Sequence, residues 1–155
     1  MSGYTGETPE TIDLIGSWRL VACEMWSGDT CVEPFYMDRD PTGFIHYLPD
    51  GRMCFVGANG GRAPAASPDR RKTTDEEAAA SARTFNGYAG PYRRDGAVVV
   101  HHLEISGFEN DKGLDYVRHI GVEGGYLTLS SPPMKRDGET VVLKLTWDRI
   151  TPGVG

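Results

Sequence analysis

Apolar and polar residues alternate most cleanly near the C-terminal end of the chain. Val141, Leu143, Leu145 and Trp147 stand against Val142, Lys144, Thr146 and Asp148. That is the period of a strand with the first set turned to a core. The pattern predicts a strand over Thr140–Ile150. Similar short runs predict strands over Ser17–Trp26, Gly43–Leu48, Arg52–Gly57, Tyr88–Arg94, Ala97–Ser106, Leu114–Val122 and Tyr126–Ser130, with a short extended piece at Cys31–Met37. In Ser17–Trp26 neither face is clearly polar, so the alternation leaves open which one points inward. Pro49-Asp50-Gly51, Asp95-Gly96 and Gly124-Gly125 stand between adjacent runs. These are the residues tight hairpin turns require.

Two segments carry helical signals. Thr8-Pro9-Glu10 starts a helix of about two turns that stops at Gly16. Thr74-Asp75-Glu76-Glu77 is a capping box ahead of Ala78–Ala80, and Gly87 ends that helix, which the pattern places at about 74–86. Residues 1–8 read as a loose terminus. Residues 58–72, rich in Gly, Ala, Pro and Arg, read as a mobile surface loop.

Eight main strands, possibly nine, leave no room for the crossover helices of a parallel sheet. The expected fold is all-β: one domain over 1–155, an eight-stranded antiparallel up-and-down barrel, wide enough to hold one small ligand. A two-sheet sandwich is the rival. The 155 residues include 20 glycines and 10 prolines, as a chain that reverses often requires. The net charge of −6 argues against a nucleic-acid partner. No apolar run is long enough for a helical membrane span, and no export signal is visible, so a cytoplasmic monomer or homodimer is expected. The cysteines, Cys23, Cys31 and Cys54, are odd in number and lack metal-ligand spacing, and His101-His102 are adjacent. Neither a metal nor a cofactor is predicted, since no phosphate or dinucleotide loop is present either.

Gly16-Ser17-Trp18 opens the first strand after a helical turn, and Trp147-Asp148-Arg149 ends the last. This arrangement resembles the lipocalin superfamily. The resemblance implies that Trp18 plugs the closed end and that Arg149 lies over its indole. Leu14–Val21, Asp40–Gly51, Tyr88–Tyr92 and Val100–Glu104 narrow it: the chain is similar, over residues 12–150, to the bacterial and fungal lipocalin-like domain family. The resemblance implies a central cavity for a small hydrophobic molecule. Similar barrels in natural-product pathways act as cofactor-free cyclases or isomerases.

Candidate chemistry lies on the strand over Ala97–Ser106. His102 and Glu104 share one face with Val98 and Val100, and His101 shares the other with Val99, Leu103 and Ile105. Both faces carry apolar residues, so the alternation does not decide which histidine points inward; His101 is expected to be the outward one. If His102 and Glu104 face the cavity, they form an acid/base pair beside Tyr116 and Arg118 of the next strand. His102 would move the proton, Glu104 orient it, and Arg118 hold an oxyanion. Tyr47, Tyr88, Tyr92, Tyr116, Met53 and Phe55 would contact substrate, with Trp26 and Glu24 lining the mouth. The enzyme reading is a cofactor-independent cyclase or isomerase. The alternative is a carrier with an apolar lumen.

Overall fold

A computed structural model describes residues 6–34, 37 and 40–152. Eleven strands form one antiparallel sheet: β1 (Gly16–Ser27), β2 (Thr30–Pro34), β3 (Thr42–Tyr47), β4 (Arg52–Ala58), β5 (Phe85–Asp95), β6 (Val98–His102), β7 (Ile105–Ser106), β8 (Asp115–Glu123), β9 (Tyr126–Ser130), β10 (Met134–Arg136) and β11 (Glu139–Arg149). Eight of them, in the order β1-β3-β4-β5-β6-β8-β9-β11, close into a barrel through pairing of β11 with β1. β2, β7 and β10 are short additions on β1, β5 and β11. The expected eight-stranded barrel is therefore the fold. Closure removes the unpaired edges that an open sheet would expose.

The hairpins form where the turn residues stand. Leu48 N–H donates to the Arg52 carbonyl at 2.8 Å, and Gly51 takes the positive φ of +87° that closes the turn. The core is the barrel interior. Ile45, Tyr47, Met53, Phe55, Val99, Leu127, Leu129 and the predicted set on β11 are all buried in it.

The closed end is built around Trp18. Its indole N–H donates to the Leu14 carbonyl at 2.9 Å. The Arg149 guanidinium covers the ring and donates to the carbonyls of Ile15 and Asp13 at 3.3 and 2.6 Å. One cation thus meets an aromatic face and two chain carbonyls, which fixes the segment before β1 against the end of β11.

Several local expectations change. The Thr8–Gly16 segment makes one hydrogen-bonded turn at Thr8–Ile12 rather than two. Of the loose terminus 1–8, residues 1–5 lie outside the described residues. So do residues 35 and 36 of the extended piece; its residues 31–34 lie in β2, and Met37 is buried in the core. Helix α1 (Asp75–Arg83) has the capping box, with Glu77 N–H on Thr74 Oγ1 at 3.1 Å. It ends at the Thr84 cap, and Phe85 already belongs to β5, because pairing of Phe85 with Ala58 extends the sheet past Gly87. In the 58–72 segment, Arg62 donates to the Ser81 and Thr84 hydroxyls at 2.9 and 3.0 Å, and Ala66 N–H donates to Glu77 at 2.9 Å. These bonds tie it to α1.

The strand over Ala97–Ser106 is broken. β6 stops at His102, and β7 begins at Ile105. Between them, Leu103 N–H turns to the Leu114 carbonyl and Glu104 N–H to the Ala89 carbonyl. The chain crosses β5 at Gly90, where a Cβ would collide with the His102 carbonyl oxygen. Only glycine permits this approach, so Gly90 sets the height of the β6 end in the wall.

Candidate functional site

The barrel encloses a cavity of about 700 Å³. Ile45, Phe55, Leu129, Leu143, Leu145 and Trp147 are apolar residues of its wall. Its outer part is bounded by Phe85 of β5, Phe108 of the 107–113 loop, Ala82 and Arg83 of α1, and Met134 of β10. This is the end away from Trp18. A mainly apolar chamber of such volume suits an organic molecule of moderate size.

The polar groups gather on β5, β6 and β8. Pairing places His101 opposite Tyr92 and Tyr116, so these side chains share the inner face. His101 is fully buried on the cavity wall, and both ring nitrogens are engaged. Nε2 lies 2.6 Å from Tyr47 Oη, and Nδ1 lies 3.0 Å from Tyr88 Oη. Burial pulls the His101 pKa down to about 3, and the like charge of Arg118 acts in the same direction. The ring is therefore neutral at physiological pH. Burial also pushes Tyr88 up to about 12 and Tyr47 well above its ordinary value. Both phenols keep their protons.

Tyr116 packs edge-on against Tyr88 at 5.2 Å and donates to Asp111, which also lines the cavity. Burial and that carboxylate raise its pKa. The Arg118 guanidinium stands over the Tyr116 ring at 4.8 Å and donates to the Val117 carbonyl at 3.0 Å. Among the described residues no carboxylate forms a salt bridge with Arg118. Its charge sits half-buried on the wall of a mainly apolar chamber. Trp147, on the same wall, keeps a buried indole N–H with no acceptor among the described residues.

Of the residues predicted from sequence, Tyr88, Tyr116, Arg118 and Phe55 line the cavity together. His102 and Glu104 do not, which corrects the expected acid/base pair. The inner face of β6 belongs to Val99 and His101. His102 is half-exposed and meets Asp115 at 2.8 Å. Glu104 is exposed, beyond the break in the strand, and pairs with Arg52 at 2.5 Å. His101, read as the outward histidine, is the inward one.

Trp26 and Glu24 also lie off the cavity. A bulge in the β1–β11 register between Leu20 and Ala22 reverses the faces beyond it. Trp18 and Leu20 point inward before the bulge, and Cys23 and Met25 after it. Trp26 then meets Lys144, whose ammonium lies 5.9 Å from the ring centroid. Tyr47, Met53 and Tyr92 do not line the cavity either. They pack beneath it toward Trp18, where Tyr92 meets Tyr47 edge-on at 4.9 Å and donates to the Leu48 carbonyl.

Among the described residues no group of three or more His, Cys, Asp or Glu side chains is arranged to hold a metal, and no disulfide joins the cysteines. No described helix is long and apolar enough to cross a membrane.

Residues 15–150 match the family described as the lipocalin-like domain. With the closed eight-stranded barrel and the Trp18–Arg149 plug, the match covers nearly the whole chain. The protein belongs to this family. No curated protein matches the chain. The family and the barrel together point to small-molecule binding.

Proposed function

We propose that the barrel takes up a largely apolar molecule carrying an anionic or enolisable oxygen and acts on it as a cofactor-independent isomerase or cyclase. The observation that carries this reading is Arg118: a guanidinium with no carboxylate partner among the described residues, beside two protonated tyrosines, on the wall of a mainly apolar cavity. A half-buried charge beside a mainly apolar chamber gains from a bound group that pairs with it. An oxyanion would do so.

Catalysis would then work by shape and electrostatics. The chamber holds a flexible substrate in a reactive fold. Arg118 stabilises charge that develops on oxygen, Tyr88 positions that oxygen, and the Tyr116 ring, its hydroxyl held by Asp111, supports the guanidinium. His101 is not a proton acceptor in this scheme, because its ring is neutral and both nitrogens are engaged. That same observation favours the second reading, a carrier for a small hydrophobic ligand, since it removes the obvious base from the cavity.

The two readings separate on incubating the protein with a small-molecule extract of its native source. Mass spectrometry follows compounds retained by the protein and compounds converted. The enzyme reading expects a retained compound to turn into an isomer of equal mass, about 10²-fold more slowly with Arg118→Gln. Retention without conversion leaves the carrier. No retained compound contradicts both.

A further inference from the structure

A neutral histidine carries one ring proton and one bare nitrogen. Tyr47 and Tyr88 each reach one of the two nitrogens of His101. One phenol must therefore donate to the ring, and the other must accept from it. The surroundings break the tie. Tyr47 is fully buried and lies off the cavity, and its hydroxyl has no second hydrogen-bond partner among the described residues. Were it to accept from Nε2–H, its own proton would be stranded in the core, a state that folded proteins avoid. Tyr88 also has no second partner among the described residues, but it lines the cavity. Its proton has somewhere to go.

We infer that Tyr47 donates to Nε2 of His101, that Nδ1–H of His101 donates to Tyr88 Oη, and that Tyr88 thereby presents its hydroxyl proton to the cavity as a donor for a ligand carbonyl or carboxylate oxygen. The inference rests on the cavity being a ligand site, and it adds the polarity of that site. Because His101 is neutral at physiological pH, its tautomer is a defined state. Because burial keeps Tyr88 protonated, the donor persists across that range. Accepting a hydrogen bond from His101 also strengthens the one that Tyr88 gives, as in any chain of such bonds. Trp147 is a further donor on the same wall, and Arg118 a third. The donors match a ligand that brings acceptor oxygens. Tyr47 and His101 are positioning residues here, and Tyr88 is the contact.

Two measurements test this on the intact protein. The first is ¹⁵N NMR of the His101 ring in the wild type at neutral pH. The inference expects a protonated Nδ1 and a bare Nε2, and the opposite tautomer overturns it. The second compares binding of 2-acetylnaphthalene with that of 2-ethylnaphthalene, which differ at the carbonyl. Wild type should prefer the ketone by about tenfold. Tyr88→Phe should lose the preference while still binding the hydrocarbon. A preference that survives Tyr88→Phe overturns the inference, as does equal binding of the two probes by wild type. If neither probe binds, the reading of the cavity fails, and the His101 tautomer still decides the hydrogen-bond chain.

Discussion

The Arg149 guanidinium lies over the Trp18 indole, 4.1 Å from its centroid, and joins the end of the last barrel strand to the start of the first. Trp18 is buried to 1% of its surface. Trp18→Ala should therefore cost about 3–5 kcal/mol in denaturant unfolding, as other large aromatic truncations in cores do. Arg149→Ala removes the cation and both carbonyl contacts but little core volume. It should cost less, about 1–2 kcal/mol. A larger effect for Arg149 than for Trp18 would contradict this account of the closed end.

Gly90 faces the backbone of His102, and the barrel wall depends on that contact. In Gly90→Ala the methyl must displace the end of β6, so stability should fall by about 1–3 kcal/mol. His101 sits next to the displaced residue, so its ring ¹⁵N shifts should move as well. Unchanged stability and unchanged shifts would show that the strand yields without effort.

The barrel was legible because its signals are local. Pro49-Asp50-Gly51, Asp95-Gly96 and Gly124-Gly125 mark hairpins wherever they stand, and β11 alternates between residues 141 and 147. The faces of β1 were not legible. Period-two reading assumes an unbroken pleat, and the extra residue between Leu20 and Ala22 shifts everything after it. The same holds for His101 and His102. Apolar residues occupy both faces of β6, and what decides between them is the register that sets His101 opposite Tyr116. One signal did point the right way: Val99, His101 and Leu103 alternate, and all three are completely buried. Tyr47 could not be linked to His101 by any local pattern, since 54 residues separate them.

Protonation of His101 should couple to folding. Its folded pKa of about 3 lies far below the unfolded value of about 6.5. Between these values the unfolded chain binds the proton and the folded one does not. This contribution to stability is complete above about pH 6.5 and is lost as pH falls toward 3. Relative to His101→Gln, wild type should lose about 2 kcal/mol between pH 7 and pH 5 in chemical denaturation. Parallel stability curves for the two proteins would contradict a buried neutral ring.

His102 should behave as a surface residue. Its pair with Asp115 is half-exposed, and such pairs contribute about 0–1 kcal/mol. His102→Ala should leave stability within about 1 kcal/mol and 2-acetylnaphthalene binding unchanged. A tenfold loss of binding would return His102 to the site.

Helix α1 has no buried residue, although Ala82 and Arg83 border the cavity. Its amides should exchange faster than those of β4, β5 and β11, and should slow when 2-acetylnaphthalene is bound. Equal protection of helix and strands, with and without the probe, would contradict a loosely held α1 at the cavity mouth.

Arg118 as the anchor for a ligand oxyanion is tested most directly by titrating the wild type and Arg118→Gln with 2-naphthoate and 2-methylnaphthalene, followed by calorimetry. A hydrogen-bonded charge pair on the wall of a mainly apolar chamber should favour the carboxylate by at least about tenfold in the wild type. Arg118→Gln should abolish that advantage and leave the hydrocarbon affinity within about threefold. Equal affinities for the two probes in the wild type, or naphthoate binding unaffected by Arg118→Gln, would contradict the account.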